Sequence, residues 1–264
     1  MYNFQVIFVF LLFQSSFALA QNQVYVCPPC QSACDKMEYR EKGKCTHCKM
    51  NLITQVAKNK MSKTNTIAFY LQDGVEVLDF AGPMEAFSYA GFEIFTVSKT
   101  TDPIKSQGVL SIIPDYSIDN APEADIVAFF GGNSQVARQD DAVIAWVKKQ
   151  SHVQYYFSVC TGAFILAEAG LLKGKKATTF HSSIDLLQSD FPETEVLSNV
   201  RFVDNGKIVT TAGISAGIDG ALHLIAKLRG LPKAKEVVFY MEYDKWQPGE
   251  GLLLEGSDKI YSNN

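Results

Sequence analysis

FSVCTGAFILAEAG, from Phe157 to Gly170, decides the fold. The residues before it read VQYY, so an apolar β-type run reaches Cys160 and passes without a spacer into a helix of small and aliphatic residues. Gly170 stands where such a helix would end. A strand that turns directly into a helix is half of a βαβ unit. The same alternation extends in both directions from Cys160.

Toward the N-terminus, TIAFYL, FEIFTVS and DIVAFFGG read as strands, and VLSIIPDYS as a hairpin excursion. VLDFAGPMEAFSYAG and DDAVIAWVKKQS between them carry helical spacing. Toward the C-terminus come KATTF, a helix from Ser182 to Leu187, the strand pair VRFVDNGKIVTT with an Asn-Gly turn, and the helix AGIDGALHLIAKLRG. A last amphipathic helix is expected from Pro232 to about Trp246. Strands alternating with helices predict a mostly parallel sheet covered on both faces. Ligands bind such sheets outside the carboxyl ends of the strands. Those ends hold Gly131 and Gly132, Cys160, and the DGVEVLDFAGP loop.

At the turn, Cys160 has two readings. A buried packing cysteine is common in cores. A nucleophile is favoured by the helix N-terminus that follows, whose unpaired N–H groups stabilise a thiolate. The small Thr161, Gly162 and Ala163 leave room for a substrate. The N–H of Thr161 and one from the Gly131-Gly132 loop could hold an oxyanion. A nucleophile also needs a proton partner. Asp79, set between Leu78 and Phe80 in an apolar run, is either that partner or a helix N-cap.

DGVEVLDFAGPMEAF, AFFGGNSQ, SVCTGAFILAEAGLLKGKKATTFH and TTAGISAGIDGALHLIAKLRG together resemble the PfpI-like superfamily of class I glutamine-amidotransferase-like proteins. The likeness covers about residues 65 to 246 and is nearest to isonitrile hydratases and to the amidotransferase-like domains of AraC-type regulators. It implies a flavodoxin-like α/β sandwich without a cofactor, a homodimer, and a small-molecule substrate. It also implies Cys160 at a nucleophile elbow, Asp79 as its partner, and a part for Thr161. Two departures stand out. Protease-like members carry a histidine directly after the cysteine, where this chain has Thr161. His181 follows ATTF one position later than the superfamily pattern, so it either approaches Cys160 or opens the next helix. His223, on an apolar helix face, reads as a satisfied core residue. AraC-type regulators add a helix-turn-helix domain after this region, and the chain ends at Asn264. With a net charge of −4, no nucleic-acid partner is expected.

The other five cysteines lie between Cys27 and Cys48. Cys27/Cys30 and Cys45/Cys48 are C-x-x-C pairs with a separation close to that of zinc ribbons, a spacing that suits a soft ion such as zinc or copper. Cys34 and His47 are possible extra ligands, and Met50 could serve copper(I) alone. Two disulfides are the rival reading. The segment resembles the short heavy-metal-binding domain of metal efflux proteins, with Cys30 in place of its first histidine and Lys49 in place of a glycine. Residues 1–20 have an apolar middle and end in Ala-Leu-Ala, as an export signal does, although no Lys or Arg precedes Val6. The expected order is a signal peptide over 1–20, the cysteine-rich segment over 25–53, a linker over 54–65, the α/β domain over 66–246 and a tail over 247–264. The function expected is an exported (periplasmic or extracellular) cysteine-dependent hydratase or hydrolase. A non-catalytic ligand, redox or metal-stress sensor is the alternative. A peptidase-like or deglycase-like activity would need His181 beside Cys160.

Overall fold

The computed structural model describes residues 23–27, 33–56, 65–254 and Tyr261. The expected signal over 1–20, Cys30, and parts of the linker and tail lie outside the described residues. The chain divides into two compact units, Met1–Lys58 and Asn59–Asn264. No described helix is long and apolar enough to cross a membrane.

In the larger unit, β1 (Thr66–Tyr70), β2 (Glu93–Ser98), β3 (Tyr116–Ser117), β4 (Ile126–Phe129), β5 (Tyr155–Val159), β6 (Phe202–Asp204), β7 (Ile208–Thr211) and β8 (Leu252–Leu253) form one sheet. Its order is β8-β6-β7-β5-β4-β1-β2-β3. Every pairing is parallel except β6 with β7, the hairpin made by Asn205-Gly206, where Gly206 has φ +81°. The strands read as unbroken apolar runs because both faces are covered. Ile67, Phe69 and Leu71 pack into one core while Ala68 and Tyr70 pack into the other. Helices α1 (Val77–Tyr89), α6 (Ala216–Arg229) and α7 (Leu231–Tyr240) lie against the first core. Helices α3 (Asp141–Lys149) and α4 (Ala163–Glu168) lie against the second. Two further short helices are α2 (Ser134–Arg138) and α5 (Ile184–Asp190).

The structure bears out one local expectation in part and changes two others. VLSIIPDYS divides: Leu110–Ile112 pairs with Ile104–Ser106 as a hairpin, and Tyr116–Ser117 joins the sheet edge. KATTF stays out of the main sheet, and only Lys176–Ala177 is a strand, paired with Glu195–Val196. The last helix stops at Tyr240, short of Trp246, and Glu242 then takes φ +50°.

Among its described residues, the smaller unit has three strands of two residues each, Tyr25–Val26 between Glu38–Tyr39 and Ile53–Thr54, and a 3-10 turn at Ala33–Lys36.

Candidate functional site

Because β1, β4, β5 and β7 are parallel neighbours, the segments leaving their carboxyl ends converge. β1 leads to Asp79, β4 to Gly131 and Gly132, β5 to Cys160, and β7 to Ile214. The loops after β1 and β4 are stitched together: Glu76 N–H donates to Gly131 C=O at 3.1 Å and Asn133 N–H to Gly74 C=O at 2.9 Å. Gly132, at φ +82°, has no room for a side chain, since a Cβ there would stand 2.3 Å from the Gly74 oxygen.

Cys160 is held in the left-handed region at φ +59°, where only a few per cent of non-glycine residues are found. Its backbone is fixed on both sides. The N–H donates to Ala212 C=O at 3.2 Å, and the C=O accepts from the Thr179 hydroxyl at 2.7 Å. At the sulfur the thiol is hydrogen-bonded to the Asp79 carboxylate, and the N–H groups of Thr161 and Gly132 also point at it. Gly131 makes this contact possible, because a Cβ there would come within 2.7 Å of both Asp79 Oδ2 and Cys160 Sγ.

Asp79 is the third residue of α1 and does not cap it; the N-cap is Glu76, which makes no side-chain capping bond. The fully buried carboxylate accepts instead from Gly131 N–H at 2.9 Å and from Ile214 N–H at 3.0 Å. Burial raises the Asp79 pKa to about 6, against the pull of those donors. Burial, and next the Asp79 charge, push the Cys160 thiol up to about 12, although Thr161 and Gly132 N–H oppose the shift. The helix-terminus argument from sequence is therefore outweighed: the resting cysteine is a thiol. The pair gives up its first proton near pH 6 and keeps the second, so at neutral pH one proton is shared between them. This is the geometry of a nucleophile beside its base.

The structure also redistributes the expected donors. Gly131 N–H is already given to Asp79, so Gly132 supplies the second N–H at the sulfur. Ile214 was not apparent in the sequence because it contributes a backbone group. Its signal is conformational, a β-branched residue at φ +58°. Thr161 lies beside the cysteine with its hydroxyl bonded to Gly132 C=O at 3.3 Å. His181 is exposed, packs its ring 4.3 Å from that of Phe180, and lines a cleft of about 440 Å³ with Thr179, Asn199, Arg201 and Glu250. No hydrogen bond among the described residues joins it to Cys160. His223 is buried, with Nε2 2.7 Å from Asp204 Oδ2 and Nδ1 2.7 Å from the Tyr261 hydroxyl.

In the smaller unit the sulfurs of Cys27, Cys34, Cys45 and Cys48 lie within 4.8 Å of one another, a cluster that can hold a metal ion. Cys34 thus joins three of the four expected ligands. The Tyr39 hydroxyl, and then the N–H groups of Cys48 and His47, draw the Cys45 thiol down to about 6.

The chain is 33% identical over 182 residues to an isonitrile hydratase from Pseudomonas putida, covering 67% of this chain and 78% of the hydratase. It is 27% identical to the HTH-type transcriptional regulator CdhR from Pseudomonas aeruginosa, spanning 52% of that protein's length. Among solved structures, a THiJ/PfpI family protein from Pseudomonas syringae superposes with a TM-score of 0.65 at 32% identity, covering 70% of this chain and 78% of the other. Drosophila melanogaster DJ-1beta, at 20% identity and a TM-score of 0.63, shares the fold. The DJ-1/PfpI family model matches residues 65–227, which take in Asp79, Gly131, Cys160 and Ile214, so the chain belongs to the DJ-1/PfpI family.

Proposed function

We propose that the α/β unit is a cysteine-dependent hydratase or hydrolase of a small electrophile, of the isonitrile-hydratase type. The observation that carries this reading is the Cys160 thiol bonded to the buried Asp79 carboxylate, with Thr161 and Gly132 N–H at the same sulfur. On an isonitrile, Cys160 adds through sulfur to the terminal carbon, and Asp79 carries the thiol proton to that carbon, leaving a thioimidate. Water then adds across the C=N bond, placing hydroxyl on carbon and hydrogen on nitrogen. Collapse expels the sulfur, which regains a proton from that hydroxyl, so one water is added overall and an N-substituted formamide leaves. The two N–H groups stabilise negative charge that grows as the sulfur attacks and leaves. Turnover of a panel of alkyl and aryl isonitriles, aldehydes and amides tests this. Cys160→Ser should abolish turnover while the circular dichroism spectrum is kept. No turnover across the panel would sink the enzyme reading and favour a ligand or redox sensor. The likeness to the regulators is the observation behind that second reading. For the smaller unit, we read the four-sulfur cluster as a soft-metal site for zinc or copper in an exported protein.

A further inference from the structure

Among its described residues, the smaller unit has almost no apolar core. Its buried apolar side chains, among the described residues, are Val26, Cys27, Cys34, Cys45 and Leu52, three of them cysteines. Strands of two residues and so small a core do not hold a chain folded without a cross-link or a metal. The sulfur positions favour a metal. A tetrahedral zinc ion with bonds of about 2.3 Å sets its sulfurs roughly 3.8 Å apart, within the cluster's 4.8 Å span. Cys27 and Cys48, at 3.0 Å, are too far apart for a disulfide bond of about 2.05 Å and need only spread to admit an ion.

The surroundings are also those of a bound ion. Lys49, at φ +63°, closes a tight turn in which its N–H donates to Cys45 C=O at 3.0 Å and Cys45 N–H donates to Met50 C=O at 2.8 Å. That turn aims the N–H groups of His47 and Cys48 at the Cys45 sulfur, and the Tyr39 hydroxyl lies 3.4 Å from it. Such outer donors orient metal-bound thiolates. Charge agrees independently. Four thiolates around Zn²⁺ carry two net negative charges. In the 23–56 segment Lys36, Arg40, Lys42, Lys44 and Lys49 outnumber Asp35, Glu38 and Glu41 by the two charges needed.

We infer that Cys34 is the fourth ligand of a closed tetrathiolate zinc site with Cys27, Cys45 and Cys48, and that this ion holds the smaller unit folded. The inference rests on the reading of that unit as a metal site. It goes further in making the ion the element that holds the unit folded, in leaving exposed His47 out, and in choosing zinc. Four protein sulfurs fill a tetrahedral sphere, the arrangement of structural zinc sites. Binding displaces the remaining thiol protons to solvent.

The test is metal loading of the full chain after reduction, with Zn²⁺ read by elemental analysis and Co²⁺ by its tetrahedral thiolate absorption. One ion per chain is expected. Cys34→Ser should weaken zinc binding by at least ~10-fold and change the cobalt spectrum, while Cys30→Ser leaves both as they were. Cys34→His, which restores a ligand, should bind zinc again with a shifted cobalt spectrum and so separates ligand loss from misfolding. If Cys34→Ser binds like the parent and Cys30→Ser does not, Cys34 is not the ligand. A site that takes copper(I) and no zinc overturns the choice of ion. Absence of any metal, with intramolecular disulfides by mass, removes the metal reading itself.

Discussion

Cys160 and Ile214 both sit near φ +60°, and both face Asp79. Left-handed backbone at a non-glycine residue costs about 1–3 kcal/mol and persists only where its surroundings enforce it. Here Thr179 and Ala212 hold the backbone of Cys160, and the Asp79 carboxylate holds that of Ile214. The glycine between these groups is the sharpest constraint. Gly131→Ala should place a methyl against both reacting atoms, lower stability by about 1–3 kcal/mol and lower the rate of Cys160 alkylation. Thermal melts and thiol kinetics check it; alkylation at the parent rate would contradict the close approach. Cys160 and Asp79 were legible in the sequence because each is a polar or reactive side chain stranded in an apolar run. The Gly131-Gly132 loop was legible as a backbone donor by its missing side chains; Ile214 was not, since it acts through a backbone N–H that side-chain chemistry does not advertise.

At the scale of elements, strands and helices buried on both sides announce themselves by length and apolarity, and β1, β4 and β5 fall where TIAFYL, DIVAFFGG and VQYYFSV place them. KATTF misleads because its threonines bond to neighbours outside a strand ladder. Thr178 N–H reaches the Thr210 hydroxyl at 3.0 Å, its own hydroxyl reaches Leu197 C=O at 2.8 Å, and Thr179 braces Cys160. The start of α6 is set by a similar tertiary contact. Arg201 forms an ion pair with the buried Asp219, donates to Ser215 Oγ at 3.3 Å, and Tyr243 donates to Asp219 at 3.1 Å. Since Ser215 follows Ile214, this pair steadies the turn that holds Asp79. Asp219→Ala should cost about 2 kcal/mol, because it leaves Arg201 and the Tyr243 hydroxyl without their acceptor. Denaturant unfolding measures the loss, and Arg201→Met combined with Asp219→Leu should recover part of it. An unchanged midpoint in Asp219→Ala would show that the pair is ornamental.

Across the whole molecule, the buried Asp204–His223–Tyr261 contact ties β6 and α6 to a residue of the C-terminal tail. Lys227 completes it, with Nζ 2.8 Å from Asp204 Oδ2. Burial holds the His223 pKa below its ordinary value, despite the neighbouring carboxylate. The folded chain therefore keeps the ring neutral where the unfolded chain binds a proton, below about pH 6.5. The stability linked to His223 is present above that pH and is lost as pH falls through it. Burial also acts on Asp204, but His223 and Lys227 overcome it and hold the carboxyl low, so its contribution persists further into acid. The gap in Tm between the parent and His223→Gln should narrow as pH drops from 7.5 to 5. A gap that widens would mean that the ring is charged in the fold. The sequence reading of His223 as a satisfied core residue anticipates its burial; its partners, distant in sequence, come only from the tertiary fold.

The central claim is that Cys160 and Asp79 act as one proton-sharing pair, and the rate of Cys160 alkylation against pH, in the parent and in Asp79→Asn, tests it most directly. The account predicts a limb that rises through about pH 6 in the parent, as the pair loses its first proton. In Asp79→Asn the limb near pH 6 should vanish, while the thiolate limb at high pH moves down, because the carboxylate charge that raises the thiol is gone and only burial still opposes its ionisation. A parent profile that is flat to high pH, with no effect of the Asp79 change, would make Cys160 a packing residue and contradict the account.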